Sequence, residues 1–107
     1  MMRDLRWSQA EKTIAKKAFN QALEKELAVI IRKVKEMAQR IEEPADLWKI
    51  EDYLSNSRRE IDGKFDYRYS VLPQVFGILI RNGLLQEEDL QGLGEDKLKI
   101  IRGIATL

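Results

Sequence analysis

The run from Ser8 to Glu43 contains neither glycine nor proline, and this constrains the fold more than any other feature of the chain. Within it Leu23, Leu27, Ile30, Val34, Met37 and Ile41 recur at alternating intervals of four and three, the spacing that lays side chains in one seam along a helix. Ser8, followed three residues later by Glu11, forms a capping-box pair that satisfies two backbone N–H groups at a helix start. A helix over about Ser8–Ile41 is therefore predicted, with Ala15, Ala18, Phe19, Ala22, Ile31 and Ala38 widening its apolar face. At 1.5 Å per residue it is roughly 50 Å long, whereas a compact domain of this size has a radius of gyration of about 13 Å. Such a helix projects beyond its own core.

The residues after Pro44 break into shorter helices. Pro44 ends the first helix, Asp46 is placed to cap the next, and a second helix runs from Leu47 to about Ile61 until Asp62-Gly63 stops it. A third spans roughly Asp66–Arg81, with Pro73 tolerated in a first turn that begins at Ser70. Asn82-Gly83 closes it, a short turn fits Glu87–Gln91, and a last helix covers Glu95–Ala105. Leu98, Ile101, Ile104 and Ala105 should meet Val75, Phe76, Leu79, Ile80, Leu84, Leu90 and Leu93 in a small head. The expected architecture is all-α and a single helical domain: residues 1–62 form a stalk and 63–107 a helical head. The short helices cannot cover a seam of this length, so a second copy of the chain is expected on it, along Leu27 and Val34. The alternative is an intramolecular bundle in which the later helices fold back along the seam.

Composition narrows the chemistry. The chain has 107 residues with 19 basic and 18 acidic side chains, a formal charge of +1, no cysteine and no histidine. Disulfides, thiolate sites and the commonest general base near neutral pH are excluded together. No large basic field exists for nucleic acid, although Lys12, Lys16, Lys17, Arg32, Lys33 and Lys35 on the first helix are the residues such a reading would use. The start, Met1 to Arg6, leads into a charged helix and not into an apolar run, and Tyr69–Ile80 is too short and polar to cross a membrane. A cytoplasmic protein without a cofactor or bound metal is expected.

The densest mixed segment is Asp46–Lys64. On a helix Trp48, Glu51, Asp52 and Ser55 stand at offsets of three, four and seven, with Arg58 and Arg59 a few turns on. A Trp beside acid and base side chains suits the centre of a protein interface. It equally suits a core Trp ringed by surface ion pairs worth about 0–1 kcal/mol each. Adjacent Glu51 and Asp52 diverge by about 100° and make a poor catalytic pair. Phe65, Tyr67 and Tyr69 can pack the head against the stalk or stack on bases, and Gly92-Leu93-Gly94 lacks the pattern of a phosphate-binding loop.

Trp7-Ser8-Gln9-Ala10-Glu11, Asp46-Leu47-Trp48-Lys49, Asp52, Leu54-Ser55, Arg58, Glu60-Ile61-Asp62-Gly63-Lys64, Arg68, Ser70-Val71, Gly83-Leu84 and Leu90 carry a family resemblance. The chain resembles the cyanobacterial fluorescence recovery proteins over nearly its whole length. The resemblance implies a non-enzymatic helical homodimer that binds the C-terminal domain of photoactivated orange carotenoid protein. It further implies faster red-to-orange reversion, release from the phycobilisome and the end of energy quenching, at the cytoplasmic face of the thylakoid membrane. Trp48, Asp52 and Arg58 match the family's functional surface, Glu51 stands where the family has a histidine, and Ile31 and Leu47 fall where the family buries apolar side chains between protomers. Pro73-Gln74 departs from the more apolar sequence expected of the head.

Overall fold

The computed structural model describes residues 5–107; the reading of the chain's first residues, Met1 to Asp4, lies outside the described residues. Four α-helices and one 3-10 turn occur among them, and no strand: α1 (Gln9–Gln39), α2 (Ala45–Lys64), α3 (Leu72–Arg81), the turn Glu87–Leu90, and α4 (Glu95–Ala105). Ser8 caps α1 through its hydroxyl, which accepts the Glu11 N–H at 3.1 Å, while the Glu11 carboxylate accepts the Ser8 N–H at 3.0 Å. The molecule measures 54 × 28 × 25 Å with a radius of gyration of 17.0 Å, well beyond the roughly 13 Å of a compact domain. The long helix thus dictates the shape, and no helix among the described residues is long and apolar enough to cross a membrane.

Four local boundaries differ from expectation: the end of α1, both ends of α2 and the start of α3. Helix α1 ends at Gln39 and leaves Ile41 in the connection, because the chain turns before Pro44. Helix α2 starts at Ala45, so Asp46 lies inside its first turn and does not cap it; its carboxylate instead accepts the N–H groups of Glu42 and Glu43 at 2.9 and 3.1 Å, and these bonds hold it below the usual carboxylate range. Helix α2 runs through Gly63 to Lys64. Gly63 keeps a negative φ, and the helical bonding continues as the Phe65 N–H donates to Ile61 at 2.8 Å. Lys64 then reaches Glu26 on α1 at 3.2 Å, which favours one more turn over a break. Helix α3 begins only at Leu72, with Pro73 in its first turn as its missing N–H requires. Gly83 does take the left-handed conformation, with φ 74°, and Leu84 N–H to Leu79 and Gly83 N–H to Ile80, each 3.0 Å, close α3 in a Schellman motif.

The core lies where the helices after α2 meet the first half of α1. Leu72, Val75, Phe76, Leu79, Leu84, Leu85, Leu90, Leu93 and Ile101 are buried with Ala15, Ala18, Phe19 and Ala22 from the first half of α1. Those alanines, on the margin of the seam in sequence, let α1 lie close against the head. Phe19 stands edge-on to Phe65 and Tyr67, at 5.4 and 4.8 Å between ring centroids, and Tyr69 continues the row to Trp7 at 5.3 Å. The aromatic run is packing that joins head to stalk.

Candidate interaction surface

Beyond Ala22 the picture inverts. Helix α2 contains no buried residue along its 20 positions, although it packs back along α1 in an antiparallel hairpin. It covers one flank of the seam: Leu23, Ile30, Val34 and Met37 on α1, and Ile50, Tyr53 and Ile61 on α2, are half-buried. The fold-back alternative is therefore realised in part. Leu27, Ile31 (55% exposed), Leu47 (52%) and Leu54 remain in water.

Helical geometry sorts the predicted site residues into two ridges. At 100° per residue Leu47, Glu51, Leu54 and Arg58 share one line of α2, flanking the face turned to α1. In an antiparallel hairpin that line and the Leu27–Ile31 line of α1 fall on the same side, making one apolar surface with Glu51 and Arg58 along its edge. Trp48, Asp52, Ser55 and Arg59 lie roughly 100° further round, on the outer face. Trp48 is 63% exposed and so is no core residue. Glu51, Asp52 and Arg58 are exposed and make no ion pair among the described residues. Arg59 only donates to Asn56 at 3.3 Å. The outer face thus presents an exposed indole beside the uncommitted Asp52 carboxylate, with the uncommitted Arg58 guanidinium on the neighbouring ridge. The six basic residues of the nucleic-acid reading point in at least three directions round α1, so they form no continuous stripe.

One polar site escaped sequence reasoning. Lys97 is 2% exposed, and its ammonium donates to the Arg6 carbonyl at 2.6 Å, pairs with Glu11 at 2.9 Å and Asp96 at 3.4 Å, and lies 4.9 Å from the Trp7 ring centroid. Glu11 also accepts the Gly94 N–H at 2.8 Å. Burial raises the Glu11 carboxyl, but the Ser8 and Gly94 N–H groups and the Lys97 ammonium outweigh it and hold it at about 2. The available signal was spacing: Lys97 precedes Ile101 by four and Ile104 by seven, on the apolar face of α4.

A packed C-terminal set of helices, a half-covered hairpin and an outward Trp define an elongated all-helical protein with a long N-terminal helix. Residues 7–105 match the family model described as photoprotection regulator fluorescence recovery protein, and the chain belongs to that family. It is 44% identical over 101 residues to the fluorescence recovery protein of Synechocystis sp. PCC 6803, covering 94% of this chain and 93% of that one. The solved structures of the Fremyella diplosiphon and Synechocystis fluorescence recovery proteins superpose with TM-scores of 0.88 at 42% and 43% identity, each over 95% of this chain and all of the other. The family is named for regulation, and the fold and long N-terminal helix are those of its solved members.

Proposed function

We propose that this chain is a non-enzymatic, homodimeric regulator that binds the C-terminal domain of photoactivated orange carotenoid protein. It accelerates red-to-orange reversion and detachment from the phycobilisome, ending photoprotective quenching at the cytoplasmic face of the thylakoid. In this reading residues 1–62 act as the dimerisation stalk, residues 63–107 act as the head, and Trp48, Asp52, Arg58 and Glu51 meet the partner. The observation that carries it is the exposed Trp48 with uncommitted Asp52 and Arg58 on a helix that has no fully buried residue. Leu27, Ile31, Val34 and Leu47 are the protomer contacts.

Acceleration demands differential binding. A regulator that held the open red form and the transition state for domain re-closure equally well would trap the former, so contacts must strengthen as the domains approach. An elongated scaffold with guanidinium and indole contacts can do this by positioning alone. The test is the dark decay of the red spectrum after blue-green illumination of the cognate carotenoid protein, with and without this chain. Recovery should quicken in proportion to added protein, and Arg58→Leu should lose at least tenfold of the effect while keeping its helical content and mass in solution. A decay rate unmoved at saturating protein refutes the reading, and an active Arg58→Leu removes Arg58 from the surface.

A further inference from the structure

A second surface lies at the junction of stalk and head, away from Trp48 and Arg58. A shallow groove of about 590 Å³ runs along α1 from Gln9 to Asn20 beneath Tyr67 and Tyr69, and Lys12, Lys16 and Lys17 line it. The Lys16 ammonium sits 4.7 Å from the Tyr67 ring centroid and that of Lys12 5.3 Å from the Tyr69 ring centroid. None of these three lysines pairs with a carboxylate among the described residues, whereas Lys49, Lys64 and Lys97 each do. On a chain with a formal charge of only +1, this is a local concentration of unneutralised positive charge.

The tyrosines decide what such a groove can take. Each ring already carries an ammonium over it, an interaction worth about 0.5–1 kcal/mol at an exposed site, which orders the lysines and lowers the entropic cost of meeting an anion. With those faces taken, the rings are poor platforms for stacking a base. Burial, with Tyr69 beside it, pushes the Tyr67 hydroxyl up to about 12, so it stays neutral and leaves the positive charge intact. The groove is open along its length, roughly 16 Å, which an extended segment of about five residues spans. Lys12 and Lys16 are separated by a rise of about 6 Å, close to the roughly 6.6 Å between alternate side chains of an extended strand.

We propose that this groove docks an acidic, carboxylate-rich segment of a partner protein in extended conformation, its alternate carboxylates meeting Lys12 and Lys16. The proposal goes beyond the recovery reading and stands on its own geometry, so a failed recovery assay leaves it untouched.

The test is fluorescence anisotropy of a labelled Glu-Gly-Glu-Gly-Glu-Gly peptide titrated with the full chain at low and at physiological salt. Binding should weaken with salt, fall at least tenfold in Lys12→Glu/Lys16→Glu, and stay within twofold in the charge-matched Lys33→Glu/Lys35→Glu. Tyr67→Leu/Tyr69→Leu should bind several-fold more weakly, because the lysines lose their ring supports. Circular dichroism confirms that each variant is folded. Absence of binding at low salt, or equal loss in both charge-reversal variants, overturns the proposal. So does tighter binding of a single-stranded oligonucleotide of equal charge that the same Lys12 and Lys16 changes abolish.

Discussion

Lys97 illustrates how a single side chain ties the ends of this molecule together. It brings a charge into the head and meets Glu11, the backbone of Arg6 and the Trp7 ring, so α4 is fastened to the start of α1. Removing one partner of a buried pair strands the other, at a cost of about 3 kcal/mol, far above that of an exposed ion pair. The sign with pH follows from Glu11, held at about 2 against an ordinary 4.5. Its contribution is complete above about pH 5 and is lost as pH falls from 4.5 toward 2. Glu11→Gln should therefore be less stable than the parent by about 3 kcal/mol at pH 7, with the gap narrowing by roughly half at pH 3. Urea unfolding at fixed protein concentration reads both values, and a gap independent of pH would show that the carboxylate's charge is immaterial. Sequence alone exposed the Ser8–Glu11 box but not Lys97, because a lysine on an apolar helix face is legible as a misfit and its distant partners are not.

At the scale of elements, the crossing of α3 and α4 rests on the smallest residue. A β-carbon on Gly77 would stand 2.5 Å from Cβ and 2.7 Å from Cγ2 of Ile104, and 3.0 Å from the Ile101 carbonyl oxygen. Ile104 is stiff at χ1 and the carbonyl belongs to a helix, so neither yields easily. The gain in helix propensity from Gly to Ala is about 1 kcal/mol, and overpacking costs about 1–3 kcal/mol. Gly77→Ala should accordingly destabilise by up to about 2 kcal/mol, whereas Gly103→Ala on α4, with nothing within 4 Å, should stabilise by about 0.5–1 kcal/mol. Thermal melts of the two variants check the opposite signs. The helices themselves were legible: the heptad seam, the capping box and Asn82-Gly83 placed α1 and the end of α3. Gly63 misled because glycine permits a helix to end without requiring it, and the Lys64–Glu26 contact that extends α2 lies 38 residues away in sequence.

The whole molecule poses a problem that one chain leaves unsolved. An isolated helix of 20 residues is only marginally stable in water, and α2 gains only half-buried contacts on one flank while Leu47 and Leu54 stay exposed beside Leu27 and Ile31. Fully burying an exposed side chain of this size is worth about 1.5–3 kcal/mol. These four are already about half-covered, so covering them in both copies of a symmetric pair gains roughly half of that for each, set against the cost of association. In a symmetric pair the apolar side of the hairpin, rimmed by Glu51 and Arg58, would face the same side of a second copy. Light scattering at micromolar concentration should give twice the 12.5 kDa chain mass, and Ile31→Glu/Leu47→Glu should give the single chain mass. Because α2 has no buried residue of its own, that monomer should also lose helical signal equivalent to much of α2 while the head retains its near-ultraviolet signature. A wild-type chain that runs as a clean monomer with α2 fully helical would mean the hairpin is stable unaided, and the apolar side would then need another occupant.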